Sequence, residues 1–567
     1  MFEGFGYDTL ITTLALTGIF AYSFHVVLMA GQLSLGQAGF ASLGAFVSTL
    51  VVPADPLFGS LSPVLVGIPV GMAVGAAAAF LLGLPVLRLR GVFLAIATIA
   101  FGEGVRIVLT NSEWTGGAAG LRLDKWVNPD FAVVILLILV YAFWRLRPTR
   151  AGRAFAALRE DELAAGSMGI NVARTRMISF VASGAIAGLY GVLFAYFVRR
   201  ILPGDFDFSM MLDGLIVAVV GGFLVFFGPV LGSGFLTLVP EAQRAAGLEA
   251  GWVHPFITSA LLLLVILFLP GGLSSLLSQI TRHRRPRIPA GAVDAQHIDL
   301  SHLPNPGTEL VSVNGLSKDY GGVHAVRAVD LNVTAGEVLG IIGPNGSGKT
   351  TLVNMLSGLI DPTNGTGLVL GEKLGSGRGA HRFAAAGISR TFQHSKLFER
   401  LSVLENALVG THVRGRSTFL RRLIWLPSAR RDERAAIGWA MAALDRVGLA
   451  ERAHLSAAEL SYGDQRRLEI ARALASNPAL LILDEPAAGM NHVEATELSE
   501  LITSLASDGI TVMLIEHNVG MVLNTCTRLV VLNFGEVIAA GEPTTVAADP
   551  AVIEAYLGTE QTGSAHV

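Results

Sequence analysis

The sequence predicts a polytopic α-helical membrane domain of about eight or nine segments, followed by an α/β domain built around a phosphate-binding loop. Three observations carry this reading. Apolar residues make up 52% of the 567 and charged residues only 15%, against about 25% charged in a typical soluble domain. The charge is also unevenly placed: of the 41 Lys+Arg and 44 Asp+Glu, only fifteen of each lie in residues 1–280. Finally, the apolar run LGII (339–342) leads into GPNGSGKT (343–350) and then the helical pattern TLVNMLSGL. A mean hydropathy of +0.57 excludes a disordered chain and argues against an ordinary soluble enzyme. The net charge of −3 gives no reason to invoke nucleic acid. The single cysteine, Cys526, excludes an intrachain disulfide and a Cys-rich metal site, and reads as a small buried side chain.

A membrane-spanning helix needs about 20 mostly apolar residues. Candidate segments run roughly 8–30, 38–52, 63–84, 92–109, 127–144, 175–198, 209–226, 228–240 and 254–270. Those at 38–52, 209–226 and 228–240 are short or glycine-broken and read as tilted, broken or re-entrant, which requires cover by protein or a water-filled cavity. Gly184, Gly188 and Gly191 form a small-residue face for close helix packing. Basic loops at Arg88/Arg90, at RLRPTRAGR (145–153) and at RHRRPR (282–287) place those loops in the cytoplasm. With nine crossings the N-terminus lies outside, and it lacks the basic start of a cleavable signal peptide. Glu103 and Arg106 sit three apart on one helix face, as an interfacial ion pair or a pathway element, and Asp213 carries the same two readings.

The largest cytoplasmic loop, 150–175, is amphipathic and helix-forming; a helix at about 155–170 reads as a surface helix or as a docking helix for a cytoplasmic partner. The domains expected are therefore 1–280 in the membrane, a tether at 281–308 that is basic and then rich in Pro, Ala, His and Asp, and a soluble domain at 309–567. An arginine-rich insertion at 414–434 reads as a solvated helical face.

The soluble half carries the chemistry. In the strand–loop–helix setting of G-x-x-x-x-G-K-[ST], Gly346 and Gly348 let backbone N–H groups converge on phosphate oxygens, and the helix N-terminus adds a favourable dipole. Lys349 would pair with the β- and γ-phosphates and Thr350 would ligate Mg²⁺. The whole loop is expected to touch nucleotide: Gly343, Pro344, Asn345, Gly346, Ser347, Gly348, Lys349, Thr350 and Thr351. A second apolar strand, LLIL (480–483), ends in Asp484 and Glu485, an acid for the Mg²⁺ shell and an acid for the attacking water. A third, TVMLI (511–515), ends in Glu516 and His517.

At this point the residues resemble a known family. Residues 309–560 resemble the ATPase domain of ABC transporters: LSYGDQRRLEIARAL (460–474) is similar to its signature, Gln393 in RTFQ to its Q-loop glutamine, His517 to its switch histidine, and Tyr320 to the aromatic that stacks on adenine. The resemblance implies catalytic roles for Glu485, His517 and Gln393, with Thr350, Gln393 and Asp484 around Mg²⁺. It also implies a head-to-tail ATPase dimer, in which Ser461 and Gly463 contact the ATP held mainly by a partner chain. LSYG, EPAAGMN and LSVLENALVG resemble the branched-chain amino acid subgroup. This sequence departs from that pattern in EHNV, where Asn518 stands beside His517 in place of an acid, and Asp464 departs from the general signature. The first half, through GQLSLGQAGFASLGAF (31–46), GVFLAIATIAFGE (91–103), TGGAAGL (115–121), REDELAAGSMGIN (159–171) and GPVLGS (228–233), resembles the permease of the same systems. The chain thus looks like a fusion of a LivM-type permease with a LivG-type ATP-binding subunit.

The resemblance implies an ABC importer subunit using ATP and Mg²⁺ in the cytoplasmic (inner) membrane, its ATPase domain in the cytoplasm. Its solute would be a branched-chain amino acid; urea, short amides or aromatic acids are the alternative within the same mechanism. A half-exporter and an ATP-dependent membrane sensor are the readings outside it. The expected partners are a second permease and a second ATPase, or a second copy of this chain, with an extracytoplasmic solute-binding protein and membrane lipid.

Overall fold

The computed structural model describes residues 5–52, 62–247, 253–276, 301–377, 379–393, 395–415 and 427–557. Of the expected tether and insertion, residues 281–300 and 416–426 lie outside the described residues. The chain divides into two compact units, Met1–Arg159 with Val172–Arg285, and Glu160–Asn171 with Pro286–Val567.

The first unit is helical: α1 (Phe5–Met29), α2 (Gln37–Val51), α3 (Pro63–Val86), α4 (Val92–Thr110), α5 (Pro129–Leu146), α6 (Arg150–Glu160), α8 (Val172–Val198), α9 (Phe208–Gly221), α10 (Gly228–Ala245) and α11 (Val253–Phe268), with α7 (Glu162–Ser167) belonging to the second unit. Each of the nine apolar segments falls on one of these helices. Among the described residues, α1, α3, α4, α5 and α8 are long and apolar enough to cross a membrane, and α2, α9 and Phe256–Phe268 of α11 are shorter apolar helices. α1 and α8 are mostly buried, whereas α3, α4 and α5 expose large apolar side chains such as Leu81, Phe93 and Leu137. That exposed apolar surface is what hydrocarbon solvates.

Glycine decides the packing around α8. A side chain at Gly184 or Gly188 would overlap the carbonyls of Gly75 or Gly71 on α3, and one at Gly191 the carbonyl of Ala41 on α2. Backbones therefore meet directly, as small-residue faces allow. The segment read as 209–226 ends early. Gly222 turns at φ +98°, and α9 folds back on α10 so closely that a side chain at Gly221 would overlap the Gly228 carbonyl. On α4, Arg106 and Glu103 form an ion pair at 2.7 Å, each about one-third exposed.

Among the described residues, the second unit holds two sheets. A six-stranded sheet runs Glu536–Gly541, Arg528–Asn533, Val338–Ile342, Thr511–Ile515, Leu480–Asp484, Ile388–Arg390. Its first pair is antiparallel and the rest parallel. All residues of Val338–Ile342, Leu480–Asp484 and Thr511–Ile515 are buried, as expected of parallel strands covered on both faces. An antiparallel sheet pairs Val323–Thr334, Glu309–Tyr320, Asn364–Val369 and Glu372–Lys373. Cys526 is buried in the apolar core beside the first sheet, and burial pushes its thiol up to about 12.

The region read as one docking helix at 155–170 is two helices instead. α6 ends at Glu160, and Asp161 turns to extended backbone (φ −151°, ψ 118°) and caps α7 by accepting from Ala164 N. An aspartate that can cap and pair at once favours this break over a continuous helix. The unit boundary falls at the same place, so Glu160–Asn171 folds with the soluble unit.

Candidate active site: a nucleotide cleft

The phosphate loop leaves the C-terminal end of strand Val338–Ile342 and enters helix Lys349–Leu356. Two glycines make the turn possible. Gly343 (φ +152°) and Gly348 (φ +99°) take conformations that disfavour a side chain, and a Cβ on either would strike the carbonyl of Leu532 or Ala325. Gly343 N donates to the Tyr556 hydroxyl at 2.8 Å. Lys349 is buried, and its Nζ donates to the carbonyls of Gly343 at 2.8 Å and Pro344 at 3.0 Å. Burial lowers its pKa, while the Glu485 and Asp484 carboxylates oppose that fall.

Beside the loop lies a cleft of about 530 Å³. Its lining includes Asn345 through Thr351, together with Gln393, Glu485 and His517. The three residues expected to be catalytic come from three separate strand ends and meet at one carboxylate. Gln393 Nε2 donates to Glu485 Oε2 at 2.9 Å, and His517 Nε2 lies 2.7 Å from Glu485 Oε1. Glu485 itself holds a left-handed backbone (φ +48°) fixed by donation from its N–H to the Ile515 carbonyl. Strain of this kind is held where surrounding structure over-determines a functional residue.

Asp484 is buried behind the cleft. Its Oδ2 takes a 2.7 Å bond from Arg390, and its Oδ1 has no hydrogen-bond partner. The unpartnered Asp484 Oδ1, and the Thr350 hydroxyl and Gln393 amide oxygen of residues lining the cleft, are hard oxygen donors of the kind Mg²⁺ takes. No cluster of three His, Cys, Asp or Glu side chains that could hold a metal occurs among the described residues.

Tyr320 is not among the residues lining the cleft. It is half-exposed at the end of strand Glu309–Tyr320, with Lys318 Nζ 5.4 Å from its ring centre. Val323, His324, Arg327 and Phe534 line that side. Phe534, exposed at φ +46°, had no motif to announce it. Ser461 and Gly463 also lie outside this lining. Ser461 caps helix Tyr462–Leu474, accepting from Asp464 N and donating to Asp464 Oδ2, and Gly463 is buried where a side chain would meet Glu494.

Sequence reasoning missed the supports. Arg390, 3% exposed, joins Asn354 and Ser357 near the phosphate-loop helix to Asp484. The available signal was a charge closing the short strand Ile388–Arg390, which pairs with the acid-ended one, Arg390 opposite Ile482. Glu516, also buried, accepts from Ala487 N at 2.8 Å and His517 N at 3.1 Å. Burial raises its pKa, and these backbone donors partly offset the rise.

Comparison with known proteins fits both units. The model for the permease component of branched-chain amino acid transport systems matches residues 6–267. That for ABC transporters matches 326–488, and that for branched-chain amino acid ATP-binding cassette transporters matches 536–562. The high-affinity branched-chain amino acid transport ATP-binding protein LivG of Escherichia coli is 44% identical over 250 residues, 44% of this chain and 98% of LivG. The chain belongs to the ABC transporter family of branched-chain amino acid type. BraF of Pseudomonas aeruginosa, of the same description, is 43% identical over 250 residues, again 44% of this chain and 98% of BraF. A solved nucleotide-free ATP-binding cassette from an ABC transporter is 32% identical and covers 44% of this chain and all of its own, with a TM-score of 0.39. This ABC transporter chain is thus a membrane protein that joins a permease to an ATP-binding domain, and its ATP hydrolysis is coupled to transport.

Proposed function

We propose that this transporter imports branched-chain amino acids or closely related small solutes across the cytoplasmic membrane. Its permease would occupy 1–280, its tether 281–308 and its ATP-binding domain 309–567. The observation that carries the reading is the union, in one polypeptide, of a branched-chain amino acid permease match over 6–267 and an ATPase of the LivG kind. An importer of this design works with a second permease and a second ATPase, or a second copy of this chain, and receives solute from an extracytoplasmic binding protein.

In the cleft, ATP phosphates would lie against the backbone N–H groups of the 343–351 loop and the Lys349 ammonium. Lys349 would exchange its bonds to the loop carbonyls for bonds to phosphate. The Glu485 carboxylate would polarise the attacking water and accept its proton, as general-base chemistry requires. Gln393 and His517 already hold its two oxygens, so they would orient it. Thr350, Gln393 and Asp484 would hold Mg²⁺, which neutralises phosphate charge when bound. Tyr320 would reach adenine from its strand end, and Ser461 and Gly463 would contact ATP across a dimer interface.

Purified transporter in sealed vesicles, with its binding protein, should take up radiolabelled leucine, isoleucine or valine only when ATP is supplied. Intact ATPase activity with no uptake of any of the three would overturn the assignment.

A further inference from the structure

The helix α2 begins inside the membrane unit, and its first turn is uncapped. The chain leaves α1 at Met29 and runs without helix to Gly36 before α2 starts at Gln37. Two bonds fix the depth of this stretch. Gln37 Nε2 donates to Ser183 Oγ of α8 at 3.1 Å, and Leu35 N donates to Thr98 Oγ1 of α4 at 2.9 Å. Ser183 lies about 16 Å along α8, a helix about 40 Å long, at 1.5 Å per residue. Non-helical backbone at such depth is tolerated only inside protein or beside a water-filled cavity.

The stretch concentrates unused hydrogen-bonding capacity. The N-cap is Gly36, which offers no side chain to accept. Gln37, Ala38 and Gly39 are all buried, and none of their N–H groups has a partner among the described residues. No acidic side chain lies in that first turn. Two buried glutamines add to the set: Gln37 is 0% and Gln32 3% exposed. Gln37 Oε1 and both amide atoms of Gln32 lack partners. Buried polar groups are almost always paired, so this grouping calls for a ligand. Several donors at the positive end of a helix suit a carboxylate, and a free amide oxygen on the first residue suits an ammonium. Breaks in short membrane helices are where transporters commonly hold solute.

We propose that the N-terminus of α2 is a solute subsite: its free N–H groups receive the α-carboxylate of the transported amino acid, and Gln37 Oε1 receives the α-ammonium. Gln32, in the same non-helical stretch, supplies a further donor. The proposal rests on the amino acid import reading above.

The test uses the whole transporter complex in nanodiscs without binding protein, probed with radiolabelled leucine and competed with leucinamide, which lacks the carboxylate. Leucine should bind, and leucinamide should compete about tenfold more weakly, the effect of losing charge-assisted bonds. In Gln37→Glu the new carboxylate should occupy the free N–H groups and abolish the preference for leucine over leucinamide. A packing defect alone would not change that ratio. Ser48→Ala, buried on the same helix, should keep it. If Gln37→Glu does not assemble, Gln32→Leu is read by the same ratio and should lower it. No leucine binding by the wild type, equal competition by leucinamide, or an unaltered ratio in Gln37→Glu or Gln32→Leu overturns the subsite. ATP-driven uptake by the wild type is measured alongside: its presence confines such a failure to the subsite, and its absence overturns the transport reading.

Discussion

Glu485 is held at both oxygens, by Gln393 and by His517, so its position does not depend on one neighbour. Glu485→Gln keeps the size and most of the hydrogen bonding but removes the base. ATP binding should persist while hydrolysis slows by about 10²–10⁴-fold, the usual share of a positioned general base. Nucleotide binding and phosphate release measured on one preparation check this, and unchanged release would remove Glu485 from the role. Arg390 acts at the same scale through charge rather than chemistry. It and Asp484 are almost fully buried, and burial lowers the Arg390 pKa against the pull of Asp484. Arg390→Met should destabilise the soluble unit by about 3–5 kcal/mol, because it strands a buried carboxylate. Adding Asp484→Asn should recover much of that loss in urea unfolding.

At the scale of elements, what sequence could show depended on whether the cause was local. The glycines of α8 were legible because their spacing alone sets a small-residue face, and that face meets the carbonyls of Gly71, Gly75 and Ala41. The phosphate loop was legible because its glycines, lysine and threonine are contiguous. The break at Asp161 was not, since the amphipathic pattern runs through it and only capping of α7, together with a bond to Lys396, selects the break. Likewise Phe534 reaches the cleft and Arg390 reaches Asp484 through strand neighbours distant in sequence. Close backbone approach also predicts an outcome. Gly188→Leu would drive a side chain into the Gly71 carbonyl, and overpacking costs typically about 1–3 kcal/mol. Its monodisperse yield in detergent should fall well below that of Ala187→Gly, which adds space at the neighbouring buried position.

At the scale of the whole molecule, the uneven charge noted in the sequence marks two units, and one short segment crosses between them in sequence. Glu160–Asn171 is covalently continuous with α6 of the membrane unit yet folds with the soluble unit. Asp161 Oδ2 pairs with Lys396 Nζ at 2.6 Å, each about a quarter exposed. Lys396 N donates to Glu469 Oε1, and Glu469 pairs with Arg466. Arg466 in turn donates to the carbonyls of Phe392 and Gln393. A continuous set of bonds therefore joins Asp161 to Gln393, whose side chain holds the Glu485 carboxylate. Spatial continuity alone does not establish coupling, so the pair must be perturbed by sign. Asp161→Lys places two ammonium groups together and should lower solute moved per ATP hydrolysed, by about fivefold or more if the link carries an ordinary coupling energy. Reversing both charges, Asp161→Lys with Lys396→Asp, should restore part of the ratio, because an opposite-charge pair re-forms between the same two backbones while the α7 cap stays lost. Uptake and phosphate release followed in the same vesicles give the ratio directly. A single variant that couples as well as the wild type would show that force passes elsewhere.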